Sequence, residues 1–212
     1  MCFKRSVLFT VTLLLCLYAR SAHLIGGEMY YNCTGGNNYE LKVILYRDCN
    51  SNGAQFDPTI TVGVYRSGGG QEMEINISNR EVSTIPATIS NPCFQPPSNL
   101  CIQRAIYTAS AVLPGNHNGL ELTYQRCCWS DNIVNIYNDQ GLGLHVSVPP
   151  TNQVPCNSSV RGFTDPPAAI CVGEELFIDG SGTDPDGDSL VYSLCRAVGG
   201  GSPSNVTPVS SP

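Results

Sequence analysis

The sequence is poor in charge and poorest in positive charge. Charged residues fill 13 % of the 212 positions. Beyond residue 22 the only basic residues are Lys42 and seven arginines. Phosphate binding needs a clustered basic footprint, so a nucleic-acid partner is excluded. No window of ten or more residues keeps a 3.6-residue apolar period free of Gly or Pro, which excludes a coiled coil or helical bundle. No apolar run reaches the roughly 20 residues that carry a helix across a bilayer, so no transmembrane span is expected. Cysteine pairs of the C-x2-C kind are missing, and His23, His117 and His145 stand apart from them and from one another. That argues against zinc. The G-x-S-x-G, H-E-x-x-H and phosphate-loop motifs are absent as well. The chain reads as non-enzymatic.

What the sequence does have is cysteine, glycine and proline. Eleven cysteines are ordinary in an exported chain and unusual in a cytosolic one. An apolar content of 42 % is too high for disorder. Lys4 and Arg5 precede an uncharged apolar run over residues 6–18, and Ala19-Arg20-Ser21-Ala22 follows. This is the three-part pattern of a secretory signal peptide, assigned to residues 1–21. Removing it takes Cys2 and Cys16 away and leaves nine cysteines. The expected location is secreted, extracellular or on the outer cell surface.

The remainder predicts an all-β chain: a disulfide-stapled β-sandwich domain followed by the start of an immunoglobulin-like one. Glu28–Cys33 and Tyr39–Tyr46 flank Gly35-Gly36-Asn37, a hairpin signal. Thr59–Tyr65 and Glu72–Ile77 flank Gly68-Gly69-Gly70, a second one. Ala105–Leu113 and Leu120–Arg126 flank a link of Pro, Gly and Asn and are expected as a third. Ile133–Tyr137 and Leu142–Val148 read as further strands. Prolines at 149, 150, 155, 166 and 167 mark a connector over 151–167, because proline cannot donate to a strand ladder. It separates a Cys-rich domain at 22–150 from a segment at 168–212. That segment holds six acids and strand-like runs at Ala168–Val172, Glu175–Asp179 and Ser189–Leu194. It is too short for a whole sandwich. We expect it to be incomplete, or its strands to finish the first domain's sheet.

The cysteines are expected as staples. Cys93 and Cys101 bracket a short Pro-containing loop and suggest a local bridge. Cys171 and Cys195 bracket the acidic segment and suggest another. Cys33 and Cys49 sit at opposite ends of one strand, about 30 Å apart at roughly 3.3 Å per residue, so they need different partners. Cys127 and Cys128 would supply them in either order, with Cys156 left over.

One motif carries ligand chemistry. Asp184, Asp186 and Asp188, spaced two apart in Thr-Asp-Pro-Asp-Gly-Asp, are candidate Ca2+ ligands, since a turn converges such oxygens. The same residues also make an ordinary solvated turn. Both readings stand, and no other cofactor is called for.

Three stretches together carry a family resemblance: His23-Leu24-Ile25-Gly26-Gly27-Glu28-Met29-Tyr30-Tyr31, Tyr124-Gln125-Arg126-Cys127-Cys128, and the aspartate loop from Thr183 to Tyr192. In this order, with Tyr46-Arg47-Asp48-Cys49 between, they resemble the N-terminal region of large exported surface proteins of gliding bacteria. Those are known as PKD-domain or gliding-motility-associated proteins. The resemblance implies sandwich modules of the PKD or cadherin-like kind, in a longer chain bearing a sorting domain for type IX secretion. Cys156 and Trp129-Ser130 depart from the family pattern. The expected role is a structural or adhesion module that supports surface adhesion or gliding motility and binds a glycan or protein ligand. The alternative is a glycan-binding accessory region of a secreted polysaccharide-degrading enzyme.

Overall fold

The computed structural model describes residues 24–51, 53–86, 99–115, 118–126, 129, 141–162, 173, 175, 179–194 and 199–200. The signal peptide, Cys93, Cys127, Cys128, Cys171, Cys195 and the expected strands at 133–137 and 168–172 lie outside them.

The described residues form nine strands and no helix: β1 (Leu24–Gly35), β2 (Asn38–Asp48), β3 (Ile60–Arg66), β4 (Gln71–Ile77), β5 (Arg80–Ile85), β6 (Ile102–Val112), β7 (Leu120–Arg126), β8 (Gly141–Val148) and β9 (Gly199–Gly200). They make two antiparallel sheets, β1-β2-β6-β5 and β4-β3-β7-β8-β9. The fold is a disulfide-stapled β-sandwich.

Period-two alternation builds the core. On β2 the residues Tyr39, Leu41, Val43 and Leu45 are buried together with Val62, Val64, Leu120, Leu122 and Tyr124 of the facing sheet. Large and small side chains alternate across the β2–β6 ladder, where Tyr39, Leu41 and Leu45 oppose Ala111, Ala109 and Ala105. The two sheets approach closely at Gly27 of β1. A Cβ there would lie 2.9 Å from the Ile44 carbonyl oxygen and 3.1 Å from Leu144 Cδ1 of β8.

Two of the three expected hairpins are present. Gly35 and Gly36, at φ of 123° and 60°, turn β1 into β2. Gly68, Gly69 and Gly70, all at positive φ, turn β3 into β4. The third expectation is corrected. β6 pairs with β2 and β5, while β7 pairs with β3 and β8, so the Pro/Gly/Asn link carries the chain from one sheet to the other. Ser189–Leu194 is also corrected, since it forms no strand and Val191 is 95 % exposed. β9, from the same part of the chain, adds to β8 through Gly200–Gly141 and Gly199–Leu142.

The Pro-flanked stretch after β8 lies against β1, an edge of its sheet. Ser159 N donates to the Tyr31 carbonyl at 2.9 Å, and its hydroxyl accepts from Tyr31 N at 2.8 Å. Ser158 Oγ accepts from Cys33 N at 3.1 Å. Residues 157–162 thus form a strap that satisfies edge groups otherwise open to another strand.

Candidate functional site

The connection from β2 to β3 crosses one end of the sandwich, and its backbone carbonyls have no ladder to join. Arginines satisfy them instead, as buried carbonyls require. Arg47 Nη1 donates to the Ala54 carbonyl at 2.8 Å. Arg80 Nη1 donates to those of Phe56 and Asp57 at 2.7 and 2.9 Å. Tyr107 Oη donates to the Asp57 carbonyl as well, at 2.6 Å. The bond between Cys49 and Cys101 closes the start of this crossing.

Beneath the crossing is a small recess, open to solvent, with room for about one water-sized body and lined in part by Arg47, Arg126 and Asp57. Both arginines are deeply buried, at 3 % and 8 % exposure. Arg126 forms an ion pair with Asp57. Burial holds its guanidinium below the usual arginine range. Arg47 has a neutral partner at Nη1, and its guanidinium carbon lies 5.7 Å from the centre of the Phe56 ring. Its Nε is buried with no hydrogen-bond partner among the described residues. The recess therefore holds two cations and one carboxylate. Leu24, Leu45 and Ala54 give it apolar walls, and exposed Gln55 stands at its rim.

The aspartate loop is organised differently from a cation site. Asp184 Oδ1 accepts from the backbone N–H of Asp186 at 2.8 Å and of Asp188 at 3.3 Å, and Gly187 takes a positive φ of 82°. Asp186 turns the other way, toward the strap. Its Oδ2 accepts from Ser158 N and its Oδ1 from Ser158 Oγ at 3.4 Å. Arg161 and Thr183 exchange backbone hydrogen bonds beside it. Asp179 accepts from Ser181 N, which holds its carboxyl below the ordinary value. Among the described residues no three acidic, His or Cys side chains converge on one point. Asp184, Asp186 and Asp188 are thus not gathered into one such group in this structure. The Asp184 carboxylate serves the turn, and that of Asp186 its docking to the strap.

The cysteine scheme is corrected too. Cys33 bonds Cys156, and Cys49 bonds Cys101, with Cα separations of 5.5 and 5.3 Å. Cys33 and Cys49 do have different partners. Cys101 is not bonded to Cys93, because antiparallel pairing sets Asp48 opposite Ile102 and brings the next residues, Cys49 and Cys101, face to face. The residue left over in the expected scheme, Cys156, is the one that fixes the strap to β1.

Tyr31 gathers these parts. It is fully buried and packs edge-on against Tyr39 at 5.7 Å between ring centres. Its hydroxyl donates to the Ser147 carbonyl of β8 at 2.9 Å and accepts from Asn157 Nδ2 at 3.2 Å. Burial pushes the hydroxyl up to about 12, with the nearby Asp186 and Asp184 carboxylates adding to the shift.

No family model, curated protein or solved structure matches this chain.

A polar cluster lies on the outer face of β7 and β8. Glu121 accepts from Ser67 Oγ at 3.0 Å and Ser147 Oγ at 2.7 Å, and its Oε2 lies 2.5 Å from His145 Nε2. The hydroxyls are directed to the carboxylate rather than to the imidazole. No described helix is long and apolar enough to cross a membrane. Sequence reasoning missed the recess because an arginine near a strand end reads as a flanking, solvent-facing residue. Parity was the available signal. Arg47 continues the inward series Tyr39, Leu41, Val43, Leu45, and Arg126 continues Leu120, Leu122, Tyr124.

Proposed function

We propose that the chain is an exported, non-catalytic structural or adhesion module of a cell surface. The observation that carries this reading is the pair of disulfides, which join residues 123 and 52 positions apart. Bridges of that span persist in oxidising compartments and restrain a small sandwich strongly. The signal-like first 21 residues and the resemblance to PKD-domain surface proteins of gliding bacteria point the same way. In this reading the sandwich is a rigid base, and its exposed loops meet a glycan or protein ligand outside the cell.

The test is made in the producing cell. Intact cells are treated with a membrane-impermeant biotinylation reagent, and the thiols are alkylated before lysis. The expected result is labelled protein with Cys33, Cys49, Cys101 and Cys156 protected from alkylation. Protein that is unlabelled inside the cell, with those thiols free, overturns the proposal. Beads coated with the purified chain should then adhere to cells or extracellular polymer more than beads coated with the reduced, unfolded chain.

A further inference from the structure

We propose that the recess between β2, the 54–57 crossing and β7 binds an aliphatic carboxylate. This inference stands apart from the surface role proposed above.

The argument begins with charge. Two guanidiniums and one carboxylate line the recess, and the carboxylate of Asp57 is taken by Arg126. Arg47 is left with a carbonyl, an aromatic face and an unpartnered buried Nε. A buried carboxyl or amine can escape its charge by gaining or losing a proton. A guanidinium cannot at ordinary pH. Its charge has to be met by an anion, because an unpaired buried charge is costly.

The shape then selects the anion. The recess as a whole has room for about one water-sized body, so it admits one carboxylate oxygen while the rest of the ligand lies over its open mouth, and it is tight for a tetrahedral oxyanion. One uncompensated positive charge matches a monoanion rather than a dianion. A carboxylate is planar and accepts from guanidinium N–H groups in the plane, the geometry arginine offers. Leu24, Ala54 and Phe56 beside the charged groups suit a short aliphatic stem. The site is also held ready. Arg47 and Arg80 tie down the crossing's carbonyls, and the Cys49–Cys101 bond anchors its start. Little ordering remains to oppose binding.

The experiment uses the oxidised chain at pH 7 and constant ionic strength, titrated with ¹³C-labelled acetate and followed by NMR line broadening. For a ligand of four heavy atoms the expected affinity is on the order of 1 mM. Two variants locate the site. Arg47→Met removes the unpaired charge while keeping bulk. Gln55→Glu, at an exposed rim position, supplies a tethered carboxylate that competes with acetate and leaves the core untouched. Each should weaken acetate binding at least tenfold, with near-ultraviolet circular dichroism unchanged in Gln55→Glu. Butyrate should displace acetate, and chloride and sulfate should not. Non-saturable acetate broadening overturns the proposal. So does undiminished binding in Gln55→Glu, or displacement by chloride or sulfate as effective as that by butyrate.

Discussion

Replacing Tyr31 by phenylalanine removes one oxygen atom and tests how β1, β8 and the strap are joined. The ring keeps its place against Tyr39, so no large cavity opens. The Ser147 carbonyl loses its donor at 2.9 Å, and the Asn157 amide loses its acceptor at 3.2 Å. A buried polar group left unsatisfied costs about 1–3 kcal/mol. Asn157 is half-buried and Ser147 is exposed, so water meets part of the loss. The expected loss is about 1–2 kcal/mol at pH 7, read from urea unfolding with the disulfides intact. The pH dependence discriminates further. The Tyr31 hydroxyl ionises near 12 when folded and near 10 when unfolded. Its contribution is complete below pH 10 and is lost as pH rises toward 12, because the unfolded chain gives up the proton first. At pH 11 the loss amounts to about 1.4 kcal/mol. The phenylalanine variant has no such loss, so the gap between the two proteins should narrow by about that amount between pH 8 and 11. The other raised tyrosines, Tyr39, Tyr65, Tyr107 and Tyr124, are common to both proteins and cancel. A gap that is constant over this range would refute the argument that the hydroxyl is buried and protonated between the sheets.

Three further outcomes are expected. Replacing Cys33 and Cys156 by serine should lower unfolding free energy by up to about 5 kcal/mol, and Cys49 with Cys101 by about 4, from the loop lengths closed; guanidinium titrations of the two variants give the order. Gly27→Ala drives a methyl against the Ile44 carbonyl and the Leu144 and Leu45 side chains, and should cost about 1–3 kcal/mol in the same assay although alanine is a better strand residue. Asp186→Ala should speed hydrogen exchange at the Ser158 amide and proteolysis within 179–194, equally in calcium and in chelator; protection restored by calcium alone would reinstate the aspartate loop as a cation site.

The sandwich was legible where apolar alternation and glycine turns coincide. β1 to β4 follow from runs such as Tyr39–Tyr46 bounded by residues that accept positive φ. β5 was invisible because Arg80–Ile85 is polar and exposed almost throughout and is held in place by pairing with β6. The link between β6 and β7 has turn chemistry, but turn chemistry does not say whether the next strand joins the same sheet or the opposite one. The same limit misled the cysteine scheme. Cys93 is near Cys101 along the chain, while Cys49 is near it across the ladder, and only the register reveals the second distance. The candidate site was missed for a chemical reason, since inward parity at Arg47 and Arg126 conflicts with the ordinary preference of arginine for water.

The bond between Cys33 and Cys156 also sets how the module would carry a mechanical load. Tension entering along β1 and leaving beyond the strap crosses directly from one sulfur to the other. The chain between those residues, almost the whole sandwich, lies outside the path of the force. Within the loaded path, the stretch of β1 before Cys33 can peel from β2, and the strap after Cys156 from β1, while the bond holds. If that bond alone is reduced, the chain between the two residues, less the 52 residues that Cys49–Cys101 still closes off, becomes slack of up to about 240 Å when extended. One covalent link thus separates a stiff, short-reaching tether from a long, yielding one.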